Sequence, residues 1–553
     1  MLTLKQWTLP LLTLLVLNNC GGGSSTDTTT QLPTTQTTTE DEFSRSDYKG
    51  LTFYYKNLPT SAYSLTPLSD EKFNTLSEQK KLQVAHKLFS TLFFGYPLNT
   101  LKEKLASEHF LSDVQEALTK DNTDKAWLEE HLLDENTFKQ YSSWYEPQAI
   151  TILTRFYAMK HLDKYFFHNW IAYILTQTIM FSPAYELDSS HSPNIGNVYN
   201  RLVTMLNVES GMRYITYVHM MSEDNWRRFR SPEDNGREML EIYLYDTNDS
   251  HVPLAGKALK NWKLNTDYDT LEVSLNENRE PISLFGTTIY NGDDFYRELV
   301  KSDAFTQGVT QRLVAFFFPE LGSTAQEKIV STIVESHPET WQDILSEIIF
   351  SEAYLLSNHR TQSAEETFYS LAKRISYQHD QRTFGNFKNR LEEMHQATMK
   401  YKLGKLERVP QDTLSFAYYH KYIRETILLR HSSSDDYSSW RAVGWQDIFV
   451  DESQFDANPS DDVETLYAFV NYLFQTIVSR DATPEEQRLF REHMIYEKDG
   501  KQLFRYDFNI FVSYDDPEKE LYEQSRRRQN ITQIVLDYLS RLEATYRQEE
   551  VTL

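Results

Sequence analysis

The sequence predicts a mainly α protein, a multi-helix globular body with a small β-hairpin near 271–289. Three observations lead there: apolar residues recur at three- and four-residue spacing, capping signals precede those runs, and strand-type alternation is confined to one short region. At 553 residues the chain exceeds one comfortable core, so at least two packed helical units are expected. Hydrophobic residues at 40% and aromatics at 14% supply that interior and argue against global disorder.

The first element is an export signal over 1–19. Lys5 supplies a positive start and Trp7 to Leu17 an apolar run of eleven residues, well short of the roughly twenty that span a bilayer. Cys20, the only cysteine, stands between Leu17-Asn18-Asn19 and Gly21-Gly22-Gly23-Ser24-Ser25. A single cysteine rules out an intramolecular disulfide and a thiolate zinc cluster. The segment resembles a bacterial lipoprotein lipobox, with Leu17 at the third position before the cysteine and Asn19 where Gly, Ala or Ser is usual. That resemblance implies lipidation of Cys20 and an anchor in the cell envelope. Gly21, rather than Asp, after the cysteine implies the outer membrane.

Residues 20–45 follow as a Gly/Ser/Thr tether, a composition that cannot bury a core. Stretched at about 3.3 Å per residue it reaches roughly 80 Å. The formal charge of −24 becomes one unit more negative when Lys5 is removed with the signal. Such a body repels nucleic acid and anionic headgroups, so the acyl chains must hold it at the membrane.

The body divides in expectation into a helical domain over 46–320 and a helical subdomain over 321–553. Leu101, Leu105, Val114 and Leu118 draw an apolar stripe after Asn99, read as an N-cap. Trp170 to Phe181 reads as a buried helix. Leu271 to Leu275 alternates as a strand, and Ile282 to Ile289 reads as its partner across a polar turn. Ser323 with Gln326, Ser336 with Glu339, and Thr483 with Glu486 read as capping boxes. Val463, Leu466, Val470, Leu473 and Ile477 form the last clear stripe.

Reactive constellations are scarce. Zinc-helix, nucleophile-elbow and phosphate-loop motifs are absent, and no cofactor or metal is expected. Ser77 with Lys80 and Ser370 with Lys373 have the spacing of penicillin-recognising serines, without the companion Lys-Thr-Gly. Asp246, Asn248 and Ser250 open like a calcium loop, but Lys257 stands where the bidentate acid belongs. His161 and His168, seven apart, can share a helix face; core or interface histidines are the simpler reading. Arg237 can reach Glu241 one turn on, as a structural clamp or an anion contact beside Glu238.

In order along the chain, Phe94-Gly95, Trp127-Leu128 to Leu132, Phe167 to Trp170, Asp234 to Ile242, Ala255 to Trp262, Phe285-Gly286, Gly292-Asp293-Asp294, Arg312 to Phe317, and Asp343 to Tyr354 form a series of landmarks. The series resembles a family of exported bacterial proteins catalogued as domain of unknown function 1800. It covers roughly 85–420. Two departures stand out: Asp234 replaces the family's Asn, and a late Pro- and Trp-rich segment is reduced to Val409-Pro410 and Gly444-Trp445. The resemblance implies a helical exported protein without an agreed activity.

Two functions follow as expectations. The first is a non-catalytic, lipid-anchored envelope protein that binds a protein or glycan partner through its many aromatic side chains. The alternative is an envelope hydrolase or transferase with a pocket of His168, Arg237, Glu238 and Glu241, carboxylates and an imidazole being able to move protons when burial shifts them.

Overall fold

The structure is a computed structural model that describes residues 43–44, 54–55, 65–121, 152, 155–180, 195–265, 270–273, 276–375, 391, 462–509 and 512–551. Cys20, the tether, Trp127 to Leu132, Val409-Pro410 and Gly444-Trp445 lie outside these residues. The described residues group as one compact unit.

The short strands β1 (Phe43–Ser44) and β2 (Tyr54–Tyr55) pair antiparallel. Helices α1 (Asp70–Asn74) and α2 (Glu78–Thr91) each begin at a serine, Ser69 or Ser77, whose hydroxyl accepts the backbone N–H three residues on. Ser77 with Lys80 is thus a helix cap. The stripe after Asn99 is broken into α3 (Leu98–Leu105) and α4 (Phe110–Ala117), both lacking a side-chain cap; the N-cap of α3 is Pro97, and Asn99 lies inside the helix. All four stripe residues are nonetheless buried.

Helix α5 (Lys164–Thr178), capped by Asp163, is the expected buried helix, starting six residues earlier than Trp170. From Tyr165 to Thr178 every residue is buried, which a hydrophobic helix achieves only at the centre of a large body. Among the described residues no helix is long and apolar enough to cross a membrane.

Five helices follow: α6 (Ile195–Asn207), α7 (Met212–Met220), α8 (Glu223–Arg228), α9 (Pro232–Leu244) and α10 (Val252–Ala258). The expected single hairpin is in fact two. β3 (Lys263–Asn265) pairs with β4 (Thr270–Glu272), so Leu271 faces Leu264 and not a residue of the later run. β5 (Ile282–Leu284) folds back on β6 (Thr287–Ile289). The cause is local: Phe285 and Gly286, with φ of 56° and 72°, make a two-residue turn inside what reads as one strand.

Next come α11 (Gly292–Lys301), α12 (Asp303–Phe317), α13 (Ser323–Glu335) and α14 (Trp341–Ile349). Two expected capping boxes move. Gly322, not Ser323, is the N-cap of α13, and the Gln326 amide donates to the Phe318 and Leu321 carbonyls instead. Ser336 ends α13, and α14 opens with a capping box between Thr340 and Asp343. The Thr483–Glu486 box stands as expected at the start of α17, below.

A π-helical turn over Ala353–Ser357 leads to β7 (Arg360–Thr361) and α15 (Ala364–Arg374). After α16 (Asp462–Val478) come α17 (Pro484–Met494), the hairpin β8 (Ile495–Lys498) and β9 (Lys501–Phe504), and α18 (Pro517–Leu539). On α16, Leu466, Val470, Leu473 and Ile477 are all buried, each contributing about 1.5–3 kcal/mol. The last strand, β10 (Arg547–Gln548), pairs antiparallel with β7.

At the centre lies an aromatic cluster. Phe93 has its ring centroid 5.1 Å from Tyr173, 5.3 Å from Phe156 and 5.5 Å from Tyr369, joining α5 and α15 to the end of α2.

Candidate functional site

Two of the central helices are buried although they are rich in polar residues. On α2 everything from Val84 to Thr91 is buried, including His86, Lys87, Ser90 and Thr91; on α15 all but Lys373 is. Polar side chains enclosed in this way need partners inside the protein. Some find them through the C-terminal strand: the Gln548 amide donates to Thr91 Oγ1 at 3.0 Å, and Tyr354 donates to Gln548 Oε1 at 3.2 Å.

Between α2, α15, the end of α16 and residues 544–550 lies a cleft enclosing about 70 Å³. Thr367, Ser370 and Arg374, spaced three and four apart on one face of α15, form one wall. His86, Lys87 and Ser90 of α2 form another. Gly95 sets how closely the chain after α2 approaches: a Cβ there would stand 2.7 Å from the Ser370 carbonyl oxygen and 3.1 Å from Arg374 Cγ. A wider groove of about 370 Å³, bordered by Leu82, Lys102 and Leu105, meets this cleft at Ser479. Ser479 follows α16 with a left-handed φ of 60°, a conformation that costs a non-glycine residue of order 1 kcal/mol. Its hydroxyl lies 2.5 Å from His86 Nδ1.

The electrostatics are unusual. Arg374, 6% exposed, donates to the Thr476, Ile477 and His86 carbonyls at 3.2–3.4 Å. Lys87, 4% exposed, donates to the carbonyls of Asn358 and Glu549. Among the described residues neither cation has a carboxylate within ion-pair distance. Nearby cations differ: Arg360 grips Glu366, and Arg547 lies 2.8 Å from Glu320.

The consequences follow from burial. It lowers Lys87 to about 7, helped by Arg360 and opposed by Glu550 and Glu549. It lowers Arg374 to about 9. His86 falls well below the usual imidazole range, through burial first and the Arg374 charge second. Among the described residues, three buried polar atoms of the cleft lining have no hydrogen-bond partner: Arg374 Nε, Ser370 Oγ and His86 Nε2. At the mouth, Glu549 and Glu550 are exposed.

The residues singled out from sequence lie elsewhere. His168 is buried on α5, its Nδ1 2.7 Å from Asn207 Oδ1 and its Nε2 3.1 Å from Gln342 Nε2. The amide of Gln342 therefore donates to Nε2 while Nδ1–H donates to Asn207; burial lowers the imidazole, and the Asn207 bond opposes that. His161 precedes α5 and is exposed, so the two histidines do not share a helix face. Arg237 and Glu241 meet at 4.0 Å on partly exposed α9, where Arg237 also donates to Asp249 at 3.2 Å. Glu238 stands beside them, partly exposed. None of these four residues lines either cleft.

The calcium-like segment is a polar turn. Asp246 accepts from the Asn248 N–H at 2.9 Å, Asn248 accepts from Ser250, and Lys257 pairs with Glu280 at 2.7 Å. Among the described residues no cluster of three or more His, Cys, Asp or Glu could hold a metal. Sequence reading came closest to the cleft at Ser370 and Lys373. The relevant neighbour is Arg374, one residue further, and the available signal was a helix whose polar residues occur on every face. A scan against protein-family models and searches of curated proteins and of solved structures find no match.

Proposed function

We propose that this chain is a lipid-anchored binding protein of the bacterial cell envelope, tethered through Cys20 and non-catalytic in its folded body. The anchor is supported by the sequence around Cys20: a short apolar run, a cysteine at its end and a tether beyond it. The observation that carries the binding reading is the cleft between α2 and α15. Its donors are fixed in place by backbone carbonyls, as a recessed, preformed binding site requires. Kinship with the family named above rests on the order of its landmarks. The outer membrane is the proposed location because Gly21 follows Cys20, and the body's negative charge leaves anchoring to the acyl chains.

An envelope hydrolase or transferase built on His168, Arg237, Glu238 and Glu241 has less support, because both ring nitrogens of His168 are already engaged. Labelled palmitate should enter the protein and be lost in Cys20→Ala; unchanged labelling would remove the anchor. Purification from detergent-solubilised membranes should recover a specific protein or glycan partner. Repeated recovery of none, with blank glycan arrays and no small ligand, would remove the binding role.

A further inference from the structure

We infer that the cleft between α2 and α15 is an oxyanion-binding site, taking one phosphate- or carboxylate-type group onto Arg374 Nε, Ser370 Oγ and Lys87 Nζ. This rests on the binding reading above and names its ligand chemistry.

The first ground is charge. A buried cation is stable when it is paired, and the protein supplies carboxylates to Arg360, whose charge acts on Lys87, and to Arg547 in the cleft lining. Among the described residues Arg374 and Lys87 receive only carbonyl oxygens, whose partial charges solvate a cation without neutralising it. An incoming anion would complete both.

The second ground is geometry. Arg374 uses three of its five donors on carbonyls and its Nε has no partner. Lys87 uses two of three. Ser370, 1% exposed, has a hydroxyl with no partner, one turn before Arg374 on the same face. His86 Nδ1 lies 2.5 Å from Ser479 Oγ, and its Nε2 is a further unpartnered polar atom of a cleft-lining residue. Guanidinium, ammonium and hydroxyl side chains lining one small space are the usual grip on an oxyanion.

The third ground is size and selectivity. One water takes about 10–15 Å³ of such space, so about 70 Å³ admits a group of about five heavy atoms. That fits a phosphate or a carboxylate with its neighbouring carbons. Glu549 and Glu550 at the mouth, and the −24 charge of the chain, oppose an extended polyanion.

Isothermal titration of the full-length protein in detergent, with inorganic phosphate and with acetate in separate arms, tests the site. One or both should bind saturably, and the arm that binds more tightly identifies the oxyanion class. Ser370→Ala removes one donor without disturbing the charges and should weaken binding about tenfold. Arg374→Met should abolish it, and Ser370→Ala keeps the test open if that variant does not fold. Affinity should fall as pH rises above about 7, as Lys87 loses its proton among Arg360, Arg374, His86, Glu549 and Glu550. No saturable binding of either ion at millimolar concentration, or binding untouched by Ser370→Ala and Lys87→Met, would overturn the proposal. A blank titration alongside a specific membrane partner would do so while leaving the binding reading in place.

Discussion

Replacing Lys87 by Met keeps an unbranched stem of similar volume and removes a charge that the fold encloses without a carboxylate. The ammonium drops from its ordinary 10.5 to about 7. With about 1.4 kcal/mol per pH unit separating the two values, and the group half protonated at pH 7, burial costs the folded state about 4 kcal/mol. The substitution relieves that cost but leaves the Asn358 and Glu549 carbonyls without a donor, roughly 1–3 kcal/mol each. At pH 7 the variant should therefore lie within about 2 kcal/mol of the parent, where cutting one half of a buried ion pair costs about 3–5 kcal/mol.

The sharper quantity is the dependence on pH. Lys87 is depressed in the folded state, so between about 7 and 10.5 the unfolded chain holds a proton that the folded chain has released. Stability from this group is lowest at and below pH 7 and rises toward pH 10, by up to about 1.4 kcal/mol per pH unit. Lys87→Met lacks this gain. Urea denaturation followed by circular dichroism at pH 7, 8, 9 and 10 should show the parent gaining about 4 kcal/mol relative to the variant. Arg374 and His86 titrate in both proteins and drop out of the difference. Parallel curves, or a variant more than about 4 kcal/mol less stable at pH 7, would refute the view of Lys87 as an uncompensated buried cation.

Three further expectations concern the framework. Gly95→Ala places a methyl 2.7 Å from the Ser370 carbonyl oxygen, and should cost about 1–3 kcal/mol in denaturation while weakening phosphate binding. Glu366→Gln leaves Arg360 buried without its carboxylate, and should cost about 3–5 kcal/mol in the same assay. His219 is held at about 3 by burial, Arg201 and Arg228, so the unfolded chain takes up a proton there as pH falls through 6.5. From pH 6.5 to 5 this residue should account for about 2 kcal/mol of lost stability, and His219→Gln should flatten the acid limb of a denaturation series by that amount.

What could be read in advance followed from local physics. The stripe on α16 and the Thr483–Glu486 cap need only one turn of chain to declare themselves. The second hairpin is hidden in the sequence because Phe285 adopts a left-handed conformation that its side chain gives no hint of, unlike the glycine after it. Ser336 is ambiguous in the sequence because a serine serves either end of a helix, and only the chain direction set by His337, with φ of 55°, decides which. The cleft was not legible. Its walls come from residues hundreds apart, and a polar helix such as α15 reads as a solvent-facing one until its surroundings are known. Nor does a sequence show that Glu366 is engaged by Arg360 and is therefore not available to Arg374.

The pairing of β10 with β7 has a consequence for how the protein comes into being. Lys87 is bound to the Glu549 carbonyl across 462 residues of chain, and Thr91 to Gln548 across 457. Contacts of such separation are slow to form, since a long loop must close before they return any stability. The cleft is therefore a late product of folding, absent until the last residues of the chain have been made. A ligand that occupies it holds together the two distant ends of the described body, and in doing so raises the stability of the whole rather than of one region.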